Sequence, residues 1–103
     1  MEKVMKLIAV SPKKQRTITR QDGSTKVIEY YEIEANDGID TIFGESSESL
    51  TSLISATDEK VKVNLLEGHL YNIRFNINSR HWEKDGRKGV MTSITLHQMY
   101  HLT

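Results

Sequence analysis

The strongest constraint on the fold of this chain is the alternation of side chains in residues 70–82, LYNIRFNINSRHW. Tyr71, Ile73, Phe75 and Ile77 fall on one side of an extended backbone. The positions that point the other way are Asn72, Arg74, Asn76, Asn78, Arg80 and Trp82. Because successive side chains of a β-strand point to opposite faces, this period of two predicts a long strand with one face in a core. The chain is therefore expected to build a sheet around it.

Four further segments have strand composition and are bounded by turn residues. They are residues 4–10, 26–35, 39–44 and 90–99. Their expected core positions are Val27, Tyr31, Ile33, Ala35, Ile94 and Leu96. Two turn sequences, Asn36-Asp37-Gly38 and Asp85-Gly86, predict hairpins between consecutive strands. Residues 11–26 are expected to form a long polar loop that contains a turn at Asp22-Gly23.

One helix interrupts the strands. Leu50, Leu53 and Ile54 recur at helical spacing, and Ser46 and Ser47 are N-cap candidates, so a short helix is predicted over residues 47–56. The segment KVKVNLL that follows fits either a strand or an extended linker. Five strands with a helix between the third and fourth is the element order of the OB-fold, a partly open barrel. We therefore expect a mainly-β chain, a single OB-fold domain over residues 1–103.

The composition excludes several classes of function. Without cysteine the chain has no disulfide or thiolate zinc site, and it contains no run of 18 apolar residues, so we expect a cytoplasmic protein. Nucleotide-binding, hydrolase and metalloprotease motifs are lacking, and no enzymatic activity or cofactor is expected. His97 and His101 are four residues apart, but their predicted strand does not bring them together as metal ligands, so no metal site is expected either.

Charge is unevenly distributed along the chain, although 14 basic and 14 acidic side chains cancel overall. Residues 11–26 contain five cations and one acid, and residues 72–90 contain five cations and two acids. These cations are Lys13, Lys14, Arg16, Arg20 and Lys26 in the first basic segment, and Arg74, Arg80, Lys84, Arg87 and Lys88 in the second. Residues 27–59 contain nine acids and no base. In an OB barrel the two basic segments flank the ligand-binding face, which predicts a positive groove.

Trp82 is the only tryptophan of the chain and lies within the second basic segment, in NSRHWEKDGRKG. Binding of single strands without sequence preference needs cations that follow the phosphates and flat side chains on which bases stack. Trp82 and its basic neighbours supply both. The alternative is that the ring caps the barrel and that the basic segments are merely solvated. Tyr30 is a weaker stacking candidate, while Phe43 fits core packing and stacking about equally.

The chain resembles bacterial single-stranded-DNA-binding proteins of the OB class and their smaller primosomal relatives. The matching elements are KLIAV in the first strand, a basic loop with a DG turn, Phe43-Gly44 before the helix, Gly68 with Tyr71 and Ile73, and Arg80-His81-Trp82 before a polar turn. The resemblance implies that Trp82 stacks on bases, that Arg80 contacts phosphate and that the protein acts in DNA replication or repair. The acids Glu29, Glu32, Glu34 and Asp40 depart from this family pattern.

Our first hypothesis is therefore sequence-tolerant binding of single-stranded DNA, with RNA second, by a protein that is a possible homodimer or higher homo-oligomer. The expected binding residues are Trp82, Arg80, Lys84, Arg87, Lys88, Arg74, Lys13, Lys14, Arg16, Arg20, Lys26 and Tyr30. The alternative is a protein-interaction module that docks a basic partner, or a second copy, on its acidic strand-two-to-helix region. A third hypothesis is an oligosaccharide reader that uses Trp82 as a sugar platform, with little dependence on salt.

Overall fold

The computed structural model describes residues 1–103 and consists mainly of strands, as predicted. The strands are β1 (Glu2–Val10), β2 (Lys14–Thr19), β3 (Thr25–Asn36), β4 (Thr41–Ser46), β5 (Ile54–Ser55), β6 (Leu70–Lys84) and β7 (Arg87–His101). A four-residue helix, α1 (Leu50–Leu53), and a 3₁₀ turn at Glu59–Val61 lie between β4 and β6. Neither helix is long and apolar enough to cross a membrane.

Five of the strands pair in a ring. β1 is antiparallel to both β3 and β6, β6 to β7, and β3 to β4, while β4 and β7 close the ring as a parallel pair. β2 adds to the edge of β3, and the two-residue β5 pairs with β7. Each of the five ring strands therefore has a partner on both sides.

A single apolar cluster fills the inside of the ring. Its ten buried members are Met5, Leu7, Ile33, Ala35, Leu53, Tyr71, Ile73, Phe75, Leu96 and Met99. On β1, β3 and β6 they occupy alternate positions, as expected when one face of each strand turns inward. On β7, Leu96 and Met99 are three residues apart, because the β6–β7 register shifts between them. Leu53 comes from α1. The predicted core positions on β6 are thus confirmed for Tyr71, Ile73 and Phe75.

Two hairpins extend beyond this core as arms. The first arm is β2 with the start of β3, and the second is residues 76–94 of β6 and β7. The radius of gyration is 15.8 Å, larger than the roughly 13 Å typical of a compact 100-residue domain, because the arms project. Two residues predicted to lie in the core are exposed because they lie on these arms. Ile77 of β6 is 48% exposed on the second arm, and Val27 of β3 is exposed on the first arm.

Three sequence expectations need correction. The polar loop at residues 11–26 contains strand β2, whose six residues pair with β3 across the predicted turn. The predicted helix 47–56 is confined to Leu50–Leu53, because Ser49 is its N-cap, accepting a hydrogen bond from the backbone N–H of Ser52, and Ile54 is already extended. The ambiguous segment after it contains no strand, and part of it belongs to the 3₁₀ turn.

Closure of the ring depends on close contact between β4 and β7 at Gly44. A Cβ added to Gly44 would overlap the Cδ1 atom of Leu96 and lie 3.0 Å from the backbone oxygen of Ile94. The only strand pairing between β4 and β7 is that of Glu45 with Thr95, directly beside this contact. A larger residue at this position would force Leu96 or the β7 backbone to shift, so glycine favours the close approach of the two strands.

The turn between β3 and β4 is tied to β1 by an ion pair between Lys3 and Asp37. The pKa of Asp37 is held well below its ordinary value, mainly by the bond to Lys3. The backbone N–H groups of Asp40 and Ile39 lower it further, because they donate hydrogen bonds to the carboxylate at 2.7 and 2.8 Å. The same partner raises the pKa of Lys3. The charged form of Asp37 is thus favoured by folding, which links stability to pH.

Gly44→Ala is expected to destabilise the protein by about 1–3 kcal/mol, because the added methyl group overpacks the β4–β7 contact. The measurement is urea unfolding of the variant, of Leu96→Ala and of the double variant. Since Leu96→Ala removes the nearest obstructing atom, Gly44→Ala should cost less in that background. An equal cost in both backgrounds would contradict the contact.

Asp37→Asn is expected to lower the urea midpoint at pH 7, with a loss that shrinks as the pH falls. A carboxyl whose folded pKa is depressed stabilises the protein above its unfolded pKa of roughly 4, and this contribution disappears as the pH falls through the folded pKa. Midpoints measured from pH 7 to pH 2 test this expectation. A difference between variant and wild type that stays constant over that range would count against it.

Candidate functional site

A groove of about 640 Å³ lies between the bases of the two arms. Its walls come from the end of β1, from β2, β3 and β4, and from β7 where the second arm begins. The polar and aromatic side chains that line it are Ser11, Arg16, Glu32, Glu34, Phe43, Glu45, Thr92 and Ser93. The ring topology therefore brings the two arms, which are far apart in sequence, to the two sides of one groove.

The floor of the groove is the outer face of β3 and β4. Ile33 and Ala35 are buried in the core, so the alternate positions Glu32 and Glu34 point outward. In the β3–β4 register Glu32 lies opposite Glu45, and Glu34 lies opposite Phe43. Directly opposed residues share a face of an antiparallel sheet, and the floor is therefore acidic with one phenyl ring.

Much of the positive charge of the first basic segment is paired with these and neighbouring acids. Lys13 lies 2.8 Å from Glu29, Lys14 lies 3.2 Å from Glu32, and Arg16 pairs with Glu45. The bond to Glu29 raises the pKa of Lys13, and the same bond lowers the pKa of Glu29.

Arg20 and Lys26 lie near the tip of the first arm and have no ion-pair partner. The turn between them is closed by the Asp22 carboxylate, which accepts hydrogen bonds from the Ser24 N–H and hydroxyl at 2.9 and 2.6 Å. Those hydrogen bonds lower the pKa of Asp22. The first arm therefore offers free cations at its tip and neutralised cations at its base.

Tyr30 is half-buried on β3 and is covered on one side by Arg16. The guanidinium carbon of Arg16 lies 4.4 Å from the centroid of the Tyr30 ring, within the range of a cation–π contact. A base could use that face of the ring only by displacing Arg16. Arg16 would therefore compete with a base for this face of the Tyr30 ring.

The second arm presents most of its cations on one face. Arg80 lies opposite Met91, Trp82 opposite Gly89, and Lys84 opposite Arg87, and these alternate pairs share the face of the hairpin that carries Ser93 and Thr95. Because Thr95 pairs with Glu45, this face continues that of the groove floor.

Two of the predicted binding residues lie elsewhere. Lys88 is opposite Glu83, on the other face of the arm. Arg74 lies within the ring, between Glu2 of β1 and Gln98 of β7, and away from both hairpin tips. None of the five cations predicted on β6 and β7 forms an ion pair.

The indole of Trp82 packs over the backbone of Gly89. A Cβ built on Gly89 would lie 2.5 Å from the Cε2 and Cζ2 atoms of the ring, so only glycine fits beneath it. Trp82 is nevertheless 45% exposed, in a region where every neighbour on the arm is exposed or half-exposed. The ring therefore covers a glycine on one side and leaves much of its surface available to a ligand.

Phe43 is the aromatic residue of the groove that the sequence left undecided. It is 70% exposed, although the adjacent Ile42 packs against the core. Because neighbouring side chains of a strand point to opposite faces, only one of Ile42 and Phe43 can point inward. The sequence alone does not show which of the two it is. An exposed phenyl ring in a groove gains nothing from core burial and is free to stack on a ligand.

Two of the four histidines, His69 and His101, contact each other. His101 pairs with His69 rather than with His97, through ring nitrogens 2.9 Å apart, and the edge of His101 contacts Tyr71. Burial raises the pKa of Tyr71, whose hydroxyl accepts a hydrogen bond from the Leu66 N–H at 3.0 Å. No group of three or more histidine or acidic side chains in the chain converges on one point.

No protein-family model, curated protein or solved structure matches this chain.

Gly89→Ala is expected to displace the indole of Trp82, because the new Cβ occupies the space of the ring. The emission of the sole tryptophan should shift to the red, and its quenching by acrylamide should increase. Val90→Ala is the matched control, since Val90 is adjacent in sequence and lies on the opposite face of the arm. Identical spectra and quenching for Gly89→Ala and the wild type would show that the ring does not rest on Gly89.

Proposed function

We propose that this protein is an OB-type barrel that binds single-stranded nucleic acid, DNA before RNA, in the groove between its two arms. The observation that carries the proposal is that one outward face joins the exposed Phe43 and Trp82 with three of the unpaired cations of the second arm, Arg80, Lys84 and Arg87. The fold assignment is supported by the ring order β1–β6–β7–β4–β3 with a parallel pair at its closure. Ligands of OB barrels bind on such a face, between the two corresponding loops.

The charge distribution favours a particular orientation of the strand. Phosphates are repelled by the acidic floor and attracted to Arg80, Lys84 and Arg87 along the second arm and to Arg20 and Lys26 at the tip of the first. The bases then turn toward Phe43 and Trp82, which supply stacking surfaces. Each stacked base contributes roughly 1–3 kcal/mol, and with a few phosphate contacts the sum corresponds to micromolar affinity.

The alternative, docking of a basic partner on the acidic region, uses side chains that already have partners. Glu29, Glu32 and Glu45 are paired with cations of the first basic segment, and Asp37 is paired with Lys3. Four acids of this region have no ion-pair partner: Glu48 and Asp58 lie near α1 and the 3₁₀ turn, Glu34 lies on β3, and Asp40 lies in the turn between β3 and β4. A partner of this kind would bind independently of Trp82 and Arg80, which separates the two proposals experimentally.

Titration with a fluorescein-labelled thymidine 15-mer is expected to give micromolar binding at 50 mM salt and much weaker binding at 200 mM salt, because counterions are released from the phosphates. Trp82→Ala should weaken binding by about 1–3 kcal/mol. Tyr100→Ala is the matched control, since it removes an exposed aromatic ring from β7 outside the arm. Fluorescence anisotropy provides the affinities, and thermal unfolding verifies that both variants are folded.

The unlabelled oligonucleotide should also quench or shift the emission of Trp82 in the wild-type protein. Binding that is unaffected by salt, or an unchanged emission spectrum at saturating strand concentration, would refute the proposed interface. An equal loss of affinity in Trp82→Ala and Tyr100→Ala would remove Trp82 from it.

A further inference from the structure

Glu34 is the groove carboxylate without a partner. The neighbouring floor acids are both occupied, Glu32 by Lys14 at 3.2 Å and Glu45 by Arg16. Glu34 is half-buried in the groove floor and forms neither an ion pair nor a side-chain hydrogen bond. An unpaired carboxylate repels phosphate and therefore weakens nucleic-acid binding, unless the ligand donates hydrogen bonds to it.

Glu34 also lies next to the stacking platform of the floor. It is directly opposite Phe43 in the β3–β4 register, so their Cβ atoms are about 5 Å apart. On the other side of Phe43, β7 contributes Ser93 to the same groove. A base stacked on the Phe43 ring therefore has its edge beside a free carboxylate on β3 and near a hydroxyl group on β7.

A carboxylate accepts hydrogen bonds and cannot donate them, so it selects among bases by their donors. The Watson–Crick edge of guanine offers two adjacent donors, N1–H and the 2-amino group, which match the two carboxylate oxygens. Cytosine and adenine each offer one amino group. Thymine places a carbonyl oxygen on each side of its single N–H, and both oxygens are repelled by a carboxylate. In a single strand these edges are free to be read.

We propose that the groove contains a base-reading subsite in which Phe43 is the platform and Glu34 accepts hydrogen bonds from a base with an exocyclic amino group, guanine foremost. This inference rests on the proposed function and adds a preference that stacking alone does not produce. The same arrangement accounts for an acidic side chain on a face that otherwise attracts phosphate, because Glu34 contacts the base edge and not the backbone.

The test compares three labelled nonamers that are too short and too poor in guanine to form quadruplexes: all thymidine, thymidine with one central guanine, and thymidine with one central inosine. Inosine keeps N1–H and lacks the 2-amino group. For the wild-type protein we expect the guanine nonamer to bind about tenfold more tightly than the thymidine nonamer, with inosine between them. In Glu34→Gln the guanine preference should fall to about twofold or less.

Glu48→Gln is the matched control, because it removes the same charge from an exposed position outside the groove, and it should retain the full preference. Equal affinities of the wild type for all three nonamers would overturn the subsite and leave the proposed function standing. A guanine preference that persists in Glu34→Gln would remove Glu34 from the subsite. No binding of any nonamer or of the 15-mer would overturn both the inference and the proposed function.

Discussion

The close approach of β4 to β7 at Gly44 is the contact on which the other features of this molecule depend. The parallel pairing of β4 with β7 closes the ring of five strands. This pairing consists of a single position, Glu45 with Thr95, beside Gly44. Without that contact the sheet would be an open strip, the core cluster would lose one wall, and the two arms would not flank a common groove. The close approach at this glycine therefore positions the groove in which we propose that nucleic acid binds.

Closure of the ring also determines which charged side chains surround the groove. A chain of zero net charge cannot attract a polyanion by its total charge, so the distribution of partners determines what each face attracts. Cations at the base of the first arm are bound to acids of β3 and β4, whereas those of the second arm have no partner. Glu34 is thus the only acid of the groove floor without an ion-pair partner, while the second arm carries unpaired cations. This arrangement fits the proposed orientation, with the backbone of a strand along the arms and its bases over the floor.

Particular residues show how far the sequence alone could lead. The alternation in β6 and β3 correctly identified Tyr71, Ile73 and Ile33 as core residues, and the glycine-containing turns correctly marked the hairpins. Ile77 was misjudged because periodicity reports which face a side chain occupies and not where the strand leaves the core. The role of β2 was missed because its side chains are all exposed, leaving no apolar pattern to detect. The partner of Arg16 and the position of Phe43 depend on contacts between strands that no local pattern encodes.

We propose that bases lie over the groove floor at Phe43 while phosphates follow the arms. NMR shifts of the backbone amides and of the Trp82 indole N–H, recorded during titration with the thymidine nonamer that carries one central guanine, test this directly. We expect the largest changes at Phe43, Gly44, Ser93 and the Trp82 indole N–H. Changes concentrated instead on α1 and the 3₁₀ turn, or on the outer face of β1, would contradict it.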